Sequence, residues 1–345
     1  MPRPRQRAVS WPSAFLLRNL SEPMKNTLNI GLLAALLSGL VLSGSSFAEE
    51  GGSGHYMPGS MASFIDSVPP APAFLARLNV MNYDGSTSPN IKLPIGGMLA
   101  TGVNAKIMGY GLTMVWRPDI DLGEGWSYAM STTIPLVTAK VRASAATSIK
   151  PGRSISLADE ETGLGDIIVQ PVMLSRMVNP DFKVNSRLTI YTPTGDYTAG
   201  KLANTGKNFW TFSPSIELMY FGQKNGIEAS LFTGIDFNTQ NKDTDYKSGT
   251  QFHIDGTLAQ HFPIWGGLAG VGLNGYYYKQ IAADSGSGAT LGDFKAMNTG
   301  AGPVVSYSTK VGKHSITGEM KWLHEFDTTK RLEGDIIFFK LLGSF

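Results

Sequence analysis

The sequence contains no cysteine, and only 16% of its 345 residues are charged. The absence of thiols excludes a disulfide framework and any metal site built on thiolate ligands. It is also compatible with a route through an oxidising periplasm, where cysteines risk wrong pairing. After residue 48 no run of 18 apolar residues occurs, so helical membrane spans are not expected.

A single long apolar block lies near the N-terminus, from Leu28 to Leu42. Lys25 precedes this block, and Ser46-Phe47-Ala48 follows it. A basic n-region, a short apolar h-region and a small-x-small site are typical of a secretory signal peptide. The block is shorter than the ~20 residues of a spanning helix. We therefore expect residues 1–48 to be a signal peptide that is cleaved after Ala48.

The net charge depends strongly on this signal peptide. The whole chain carries a formal charge of +2, but removing residues 1–48 takes away five basic residues and one acidic residue, which leaves 24 basic and 26 acidic residues. No basic face for nucleic acid is therefore expected. Met24 would make a normal start, so residues 1–23 are either a misassigned upstream extension or a long basic n-region.

The other end of the chain alternates in a way that indicates a strand. Every second position is apolar or small in the series Ile337, Phe339, Leu341, Gly343, Phe345. A strand of this kind that ends on an aromatic residue is typical of outer-membrane barrels, although a soluble edge strand could end in the same way. In a barrel, we expect the barrel-assembly machinery to recognise this C-terminal strand, which ends at Phe345.

Alternating segments separated by Gly, Asn, Asp and Pro predict twelve strands, within a range of ten to fourteen. Their approximate spans are 76–84, 104–117, 126–142, 163–177, 183–193, 208–222, 227–237, 250–262, 266–281, 296–310, 313–326 and 332–345. Connections after even-numbered strands are short, and those after odd-numbered strands are mostly long. Short periplasmic turns and long outer loops follow this parity in outer-membrane barrels. The prediction is an all-β, transmembrane, antiparallel up-and-down β-barrel over residues 76–345, in contact with the lipid of the cell outer membrane.

Many strands set apolar residues on one face against polar residues on the other, which suits a barrel with lipid outside and a wet lumen inside. The candidates for lining the lumen are Asp166, Gln170, Arg176, Lys183, Asn185, Arg187, Tyr191, Glu217, Glu228, Asp236, His253, Asp255, His261, Asn274, Tyr276, Tyr278, Glu319, Lys321 and Lys340. These groups either line a hydrated path or pair with one another and fill a narrow barrel. In a hydrated path, the three tyrosines could stack on aromatic solutes.

Residues 49–75 are rich in Gly and Pro and cannot make a regular strand ladder. Two interpretations remain open for this stretch. It either folds into the lumen from the periplasmic side and partly plugs it, or it is a flexible periplasmic linker.

No group of residues marks an enzyme, a metal site or a cofactor site. His253 and His261 share a strand face but lie about 26 Å apart at ~3.3 Å per residue, too far to ligate one metal directly. The run 241–245 resembles a calcium loop but lacks its acidic closing residue. His314, Ser315 and His324 have no flanking hydrolase motif. We therefore expect neither catalytic residues nor cofactors.

Several short motifs occur in an ordered series. They are Gly163-Leu164-Gly165-Asp166 with Pro171, Tyr191-Thr192-Pro193-Thr194-Gly195-Asp196-Tyr197, Asn204-Thr205-Gly206-Lys207-Asn208-Phe209-Trp210, Gly300-Ala301-Gly302-Pro303 with Tyr307, and His324-Glu325-Phe326. From about Gly54 to Phe345 the chain resembles the phenol meta-pathway degradation-like (MetA-pathway of phenol degradation) family of outer-membrane proteins. The resemblance implies a porin-like barrel of Gram-negative bacteria, associated with the catabolism of aromatic compounds, that passes small hydrophobic or aromatic solutes. A receptor, adhesion or structural barrel without transport is the alternative.

Overall fold

The computed structural model describes residues 50–146, 154–291 and 295–344. The signal peptide, its cleavage after Ala48 and the terminal Phe345 lie outside the described residues. All described residues belong to one unit of the chain, which spans residues 44–345.

The described residues form fourteen strands and two one-turn 3₁₀ helices, Glu50–Gly52 and Phe64–Asp66. The strands are β1 (Ala73–Ser86), β2 (Lys92–Ile95), β3 (Met98–Arg117), β4 (Trp126–Ala146), β5 (Ser154–Leu164), β6 (Ile168–Asn179), β7 (Phe182–Tyr191), β8 (Thr211–Phe221), β9 (Ile227–Asn238), β10 (Gln251–Ile264), β11 (Gly267–Gln280), β12 (Met297–Val311), β13 (His314–Thr329) and β14 (Glu333–Ser344). None of the helices among these residues is long and apolar enough to cross a membrane.

Twelve of the strands close an antiparallel barrel. They follow one another around the wall as β1, β3, β4 and then β6 to β14, and β1 pairs with both β3 and β14. The prediction of a twelve-stranded up-and-down barrel is therefore confirmed. Two further strands extend this wall: β2 forms a hairpin with β3, and β5 pairs with β4.

Tight turns connect the strands at the end of the barrel where β1 begins. Between β10 and β11 the turn is made by Trp265 and Gly266, whose φ angles are 50° and 75°. Two successive positive φ values match the right-handed twist of the flanking strands, so a two-residue hairpin is possible here. These turns are the short connections that the sequence places at the periplasmic end.

The wall is interrupted beside β4. Residues Trp126–Thr133 of β4 pair with β6, whereas residues Leu136–Ala146 pair with β5. The strands β5 and β6 therefore continue one another along β4, with a gap at residues 165–167. The predicted strand 163–177 is wrong at this point, because the chain leaves the ladder there. Among the described residues, β7 pairs with β6 but not with β5.

The outward face of the barrel is apolar over a broad band. Leu112 and Trp116 on β3 are each 48% exposed, and Leu258 and Leu273 on β10 and β11 are more exposed still. A continuous apolar surface of this extent is not tolerated in water. It is the lipid-facing band of a transmembrane barrel.

Candidate functional site

Residues 50–72, which we call the N-terminal segment, lie against inward-facing side chains of the barrel. The Tyr56 hydroxyl donates a hydrogen bond of 2.5 Å to the Asp255 carboxylate, and the backbone N–H groups of Gly59 and Met61 donate to the same carboxylate at 3.0 and 3.1 Å. Farther along the segment, the Phe64 N–H donates to Glu228 at 2.8 Å. Carboxylates on β9 and β10 therefore accept hydrogen bonds from backbone N–H groups of the N-terminal segment, which have no partner in a strand ladder.

Most of the predicted lumen residues point inward, and many of them contact the N-terminal segment. Those in contact with it are Asp166, Asn185, Arg187, Tyr191, Glu228, His253, Asp255, His261, Glu319, Lys321 and Lys340. The other inward-facing residues are Gln170, Lys183, Glu217, Asp236, Asn274, Tyr276 and Tyr278. The structure thus gathers many of these groups around one buried segment.

Arg176 is the exception. Its side chain is exposed, and its guanidinium lies 5.2 Å from the ring centroid of Trp126, which is itself exposed. Between Val169 and Val172 the register shifts, so that two successive residues of β6 face a single residue of β7. Such a bulge moves every later side chain to the opposite face. The prediction that Arg176 lines the lumen is therefore corrected.

The three inward tyrosines are already in contact with protein groups. Tyr191 stacks on His55 with 5.0 Å between ring centroids, and the guanidinium of Arg331 lies 4.3 Å from the ring centroid of Tyr278. The Tyr276 hydroxyl donates to Glu325 at 2.7 Å. A solute could stack on these rings only after the protein groups had moved, so they are poor candidates for stacking sites in this geometry.

An apolar cavity of about 400 Å³ lies between the N-terminal segment and the wall formed by β1, β3 and β4. We call it the outer chamber. Its wall includes Met81 on β1, Ile107 on β3, and Val137, Ala139 and Val141 on β4. Cavities of this size hold small ligands. The inward face of the barrel is therefore apolar over the outer parts of β1, β3 and β4, whereas many inward positions elsewhere are polar or charged.

The sequence contains a signal for the outer chamber that the strand-face analysis missed. In the outer half of β4 the inward positions are apolar, while the alternate positions Lys140 and Arg142 face outward and are exposed. Nearer the periplasmic end of β4 the outward position is the apolar Ile134. Polar and apolar residues thus exchange faces along β4. This exchange indicates that the outer half of the strand stands above the lipid and borders an apolar space on its inner side.

Three of the sequence motifs meet at the interruption of the wall. The Asp166 carboxylate, in the gap between β5 and β6, accepts hydrogen bonds from the backbone N–H of Gly195 at 2.8 Å and of Lys207 at 2.7 Å. It also bonds to His55 Nε2 at 2.9 Å. A Cβ atom added to Gly206 would lie 2.6 Å from the backbone of Gly195, so the two backbones touch. We call this meeting point the Asp166 junction.

His55 is expected to make the junction sensitive to acid. Burial lowers the pKa of its imidazole below the ordinary value, and the hydrogen bond with Asp166 only partly opposes this shift. Because the folded state holds His55 neutral, the stability it contributes is complete above its ordinary pKa near 6.5 and is lost as the pH falls through the lowered value. The unfolding temperature of the barrel should therefore drop by a few degrees between pH 7.5 and pH 5.

The matched variant for this prediction is His55→Gln, which keeps a polar side chain but cannot titrate in this range. Its unfolding temperature should change less between the two pH values than that of the wild type. Thermal unfolding followed by electrophoretic mobility of the folded barrel measures both proteins. An equal drop in the two proteins would contradict the role given to His55.

The histidines considered for catalysis lie apart from one another. His314 Nδ1 bonds to the carbonyl oxygen of Ser344 at 2.8 Å near the start of β13, whereas the exposed His324, about 33 Å farther along that strand, lies 3.1 Å from Asp335. Within the described ranges, no group of three His, Cys, Asp or Glu side chains could hold a metal ion.

A family model for the MetA-pathway of phenol degradation matches residues 88–341. The chain belongs to this family. The match covers β3 to β13 and most of β14. It includes the gap that holds Asp166 and the connection that holds Gly195 and Lys207. No curated protein sequence is significantly similar to this family member.

Solved structures support the fold of this MetA-pathway family member. The COG4313 outer membrane channel of Pseudomonas putida F1 is similar at a TM-score of 0.63 and 12% identity, over 83% of this chain and 100% of that one. The β domain of the Bordetella autotransporter BrkA is similar at 0.47 and 10% identity, over 79% and 100%. The TodX monoaromatic hydrocarbon channel mutant gives 0.39 and 10% identity, over 81% and 93%. The last two scores are too low to indicate a shared fold by themselves.

Proposed function

We propose that this protein is an outer-membrane channel for the passive uptake of small hydrophobic or aromatic solutes. The observation that carries the proposal is the outer chamber, an apolar cavity inside a lipid-embedded barrel. A water-filled pore for polar solutes would need a polar wall around its whole path. Here β1, β3 and β4 instead provide a surface into which an apolar molecule partitions with a gain of ~25 cal/mol per Å² of apolar area removed from water.

We further propose that the N-terminal segment is a plug. Barrels of ~8 strands are filled by their own side chains and barrels of ~16 strands leave an open channel, so a barrel of twelve strands needs additional material to close it. The segment supplies this material by covering the charged part of the wall through Asp255, Glu228 and the neighbouring residues. The apolar part of the wall remains free for a solute.

The Asp166 junction offers a way out of the outer chamber. The chamber is lined on this side by Pro135, Gly165, Thr205 and Gly206, where the strand ladder is interrupted. A solute leaving here would pass sideways into the membrane beside one carboxylate, Asp166, whose oxygens are already bonded to His55, Gly195 and Lys207. It would not cross the buried charges deeper in the lumen. This lateral route agrees with the chemistry of hydrophobic solutes, for which a path among buried ions is unfavourable.

Filling the outer chamber should slow uptake. In the variant Ile107→Trp the larger ring would occupy the chamber, and forcing a solute past it costs ~1–3 kcal/mol of overpacking. At about 1.4 kcal/mol per tenfold change, uptake of a phenol-like solute into liposomes should fall by about tenfold. The matched control is Leu112→Trp, because Leu112 lies on the same strand but faces outward, is exposed and does not line the chamber.

Equal uptake by Ile107→Trp and Leu112→Trp would show that solutes do not use the chamber. A wild-type barrel that takes up no apolar solute at all would instead favour the receptor, adhesion or structural role. The measurement is the rate of solute entry into liposomes that contain each purified protein. Correct insertion is checked by the electrophoretic mobility of the folded barrel.

A further inference from the structure

A second cavity of about 580 Å³ lies at the periplasmic end of the barrel. It is bordered by the N-terminal segment from Phe64 to Ala71, by Leu75 on β1 and by Leu342 on β14. We call it the inner cavity. None of the described residues lines both the outer chamber and the inner cavity. Something in the lumen therefore separates the two spaces.

The boundary between the two cavities can be located on strands that border both of them. On β1 it lies between Leu75 and Arg77, and on β14 it lies between Leu342 and Lys340. On β8 the chamber ends at Ser213 and the inner cavity begins at Met219. The side chains at this boundary are charged: Asp66, Arg187, Glu217, Glu319, Lys321 and Lys340 are buried, and Arg77 is half-buried with its guanidinium on Asp66. We call this set the charged layer.

Asp66 of the N-terminal segment lies at the centre of the charged layer. Its carboxylate accepts hydrogen bonds from Arg77 at 2.7 Å and from Lys340 Nζ at 2.7 and 2.8 Å, and its side chain is fully buried. Its backbone carbonyl oxygen accepts a hydrogen bond from Arg187, which also pairs with Glu217 at 2.6 Å. A single residue of the segment thus connects β1, β7 and β14.

We propose that Asp66 completes a seal across the lumen, which blocks water, ions and polar solutes and so restricts passage to apolar molecules that can leave the outer chamber sideways. This inference rests on the proposed channel function and adds a selectivity element to it. Closely paired buried charges exclude water, and each group is held only while its partner remains. Removing the central anion leaves Arg77 without its ion-pair partner and Lys340 with Glu319 alone, at 3.4 Å. Cations that lose a partner in a buried layer draw in water and anions.

The test is the variant Asp66→Asn, which keeps the size of the side chain and removes its charge. In planar bilayers its single-channel conductance should rise several-fold above that of the wild type, with a reversal potential shifted toward anions. The variant Lys340→Met leaves Asp66 with Arg77 alone and removes a cation, so its shift should be toward cations. Opposite shifts would place the charged layer on the ion path.

The matched control is Tyr56→Phe, which removes the hydrogen bond between the N-terminal segment and Asp255 without changing any charge. Its conductance should stay close to that of the wild type. If Tyr56→Phe opens the barrel as much as Asp66→Asn, general loosening of the segment explains the effect and the seal is overturned. Unchanged conductance and reversal potential in both Asp66→Asn and Lys340→Met, with folded protein, overturn it as well.

The outcome is separable from that of the proposed function. Uptake of apolar solutes by wild-type liposomes tests the channel, whereas ion conductance of the variants tests the seal. A wild type without uptake, together with a conducting Asp66→Asn variant, would reject the channel function and retain the seal. Normal uptake with unaltered ion conductance in the variants would reject the seal and retain the channel function.

Discussion

Deleting residues 50–72 is expected to raise the single-channel conductance of the barrel more than any single substitution. The deletion removes Asp66 together with the groups that cover Asp255, Glu228 and Asp166. The inward charges that remain would be left without these partners in a lumen wide enough for water, and water would hydrate them. We expect a conductance several-fold to about tenfold above that of the wild type, since polar lumen walls of wider barrels conduct freely.

A variant in which residues 50–72 are replaced by a Gly/Ser linker of equal length is the control for this deletion. It restores the length of the chain without its specific contacts, so it should conduct nearly as well as the deletion. A linker variant with the low conductance of the wild type would mean that any polypeptide of this length blocks the lumen by its volume alone. A folded deletion variant with wild-type conductance would reject the plug.

Much of the fold follows from patterns that are local in the sequence. The alternation on β3, with Tyr110, Leu112 and Trp116 on one face, requires only that one side of the strand contacts lipid. The parity of short and long connections requires only that the two ends of the barrel differ. Both constraints act on neighbouring residues, so twelve strands could be counted without knowing any long-range contact.

The interruption beside β4 could not be predicted in the same way. A strand that changes partner at Thr133 has the same composition as one that keeps its partner. The gap at residues 165–167 is defined by Gly195 and Lys207, which donate to Asp166 from a connection farther along the chain. Arg176 is misplaced by strict alternation because of a one-residue bulge in β6. The local mark of this bulge is Pro171, since strands admit proline mainly at edges and bulges.

The charged layer depends on contacts that are more distant still. Asp66 and Lys340 are separated by 274 residues, and nothing near either residue identifies the other as its partner. The sequence did indicate inward charges on β7, β13 and β14. It left open whether these charges line a hydrated path or pair with other groups and fill the lumen, because the answer depends on where the N-terminal segment lies. In the structure these charges contact that segment or one another.

The Asp166 junction explains why three glycine-containing motifs occur in this family member. Gly165, Gly195 and Gly206 approach so closely that a Cβ atom on Gly195 would lie 2.7 Å from Gly206 and 2.9 Å from Gly165. Glycine is required here for space rather than for a positive φ angle. The close approach lets two backbone N–H groups reach one carboxylate and cover the place where the ladder is broken.

The variant Gly206→Val should separate these backbones. Its side chain would overlap backbone atoms of Gly195, which cannot rotate away, so the connection must move off the gap. Overpacking of this kind costs ~1–3 kcal/mol, and a hydrogen bond lost from buried Asp166 costs ~1–3 kcal/mol more. The free energy of unfolding in urea should therefore fall by about 2–6 kcal/mol. Uptake of apolar solutes should rise, because the route beside Gly165 is less covered.

Ion conductance separates the junction from the charged layer. Gly206→Val leaves Asp66, Arg77 and Lys340 in place, so its conductance should remain at the wild-type level while its solute uptake increases. The matched control is Gly256→Ala on β10, where an added Cβ atom would meet nothing closer than 3.7 Å and stability should be nearly unchanged. A Gly206→Val barrel that is as stable as the wild type would show that the junction is not tightly packed. One that conducts ions freely would show that the lumen is sealed at the junction rather than at Asp66.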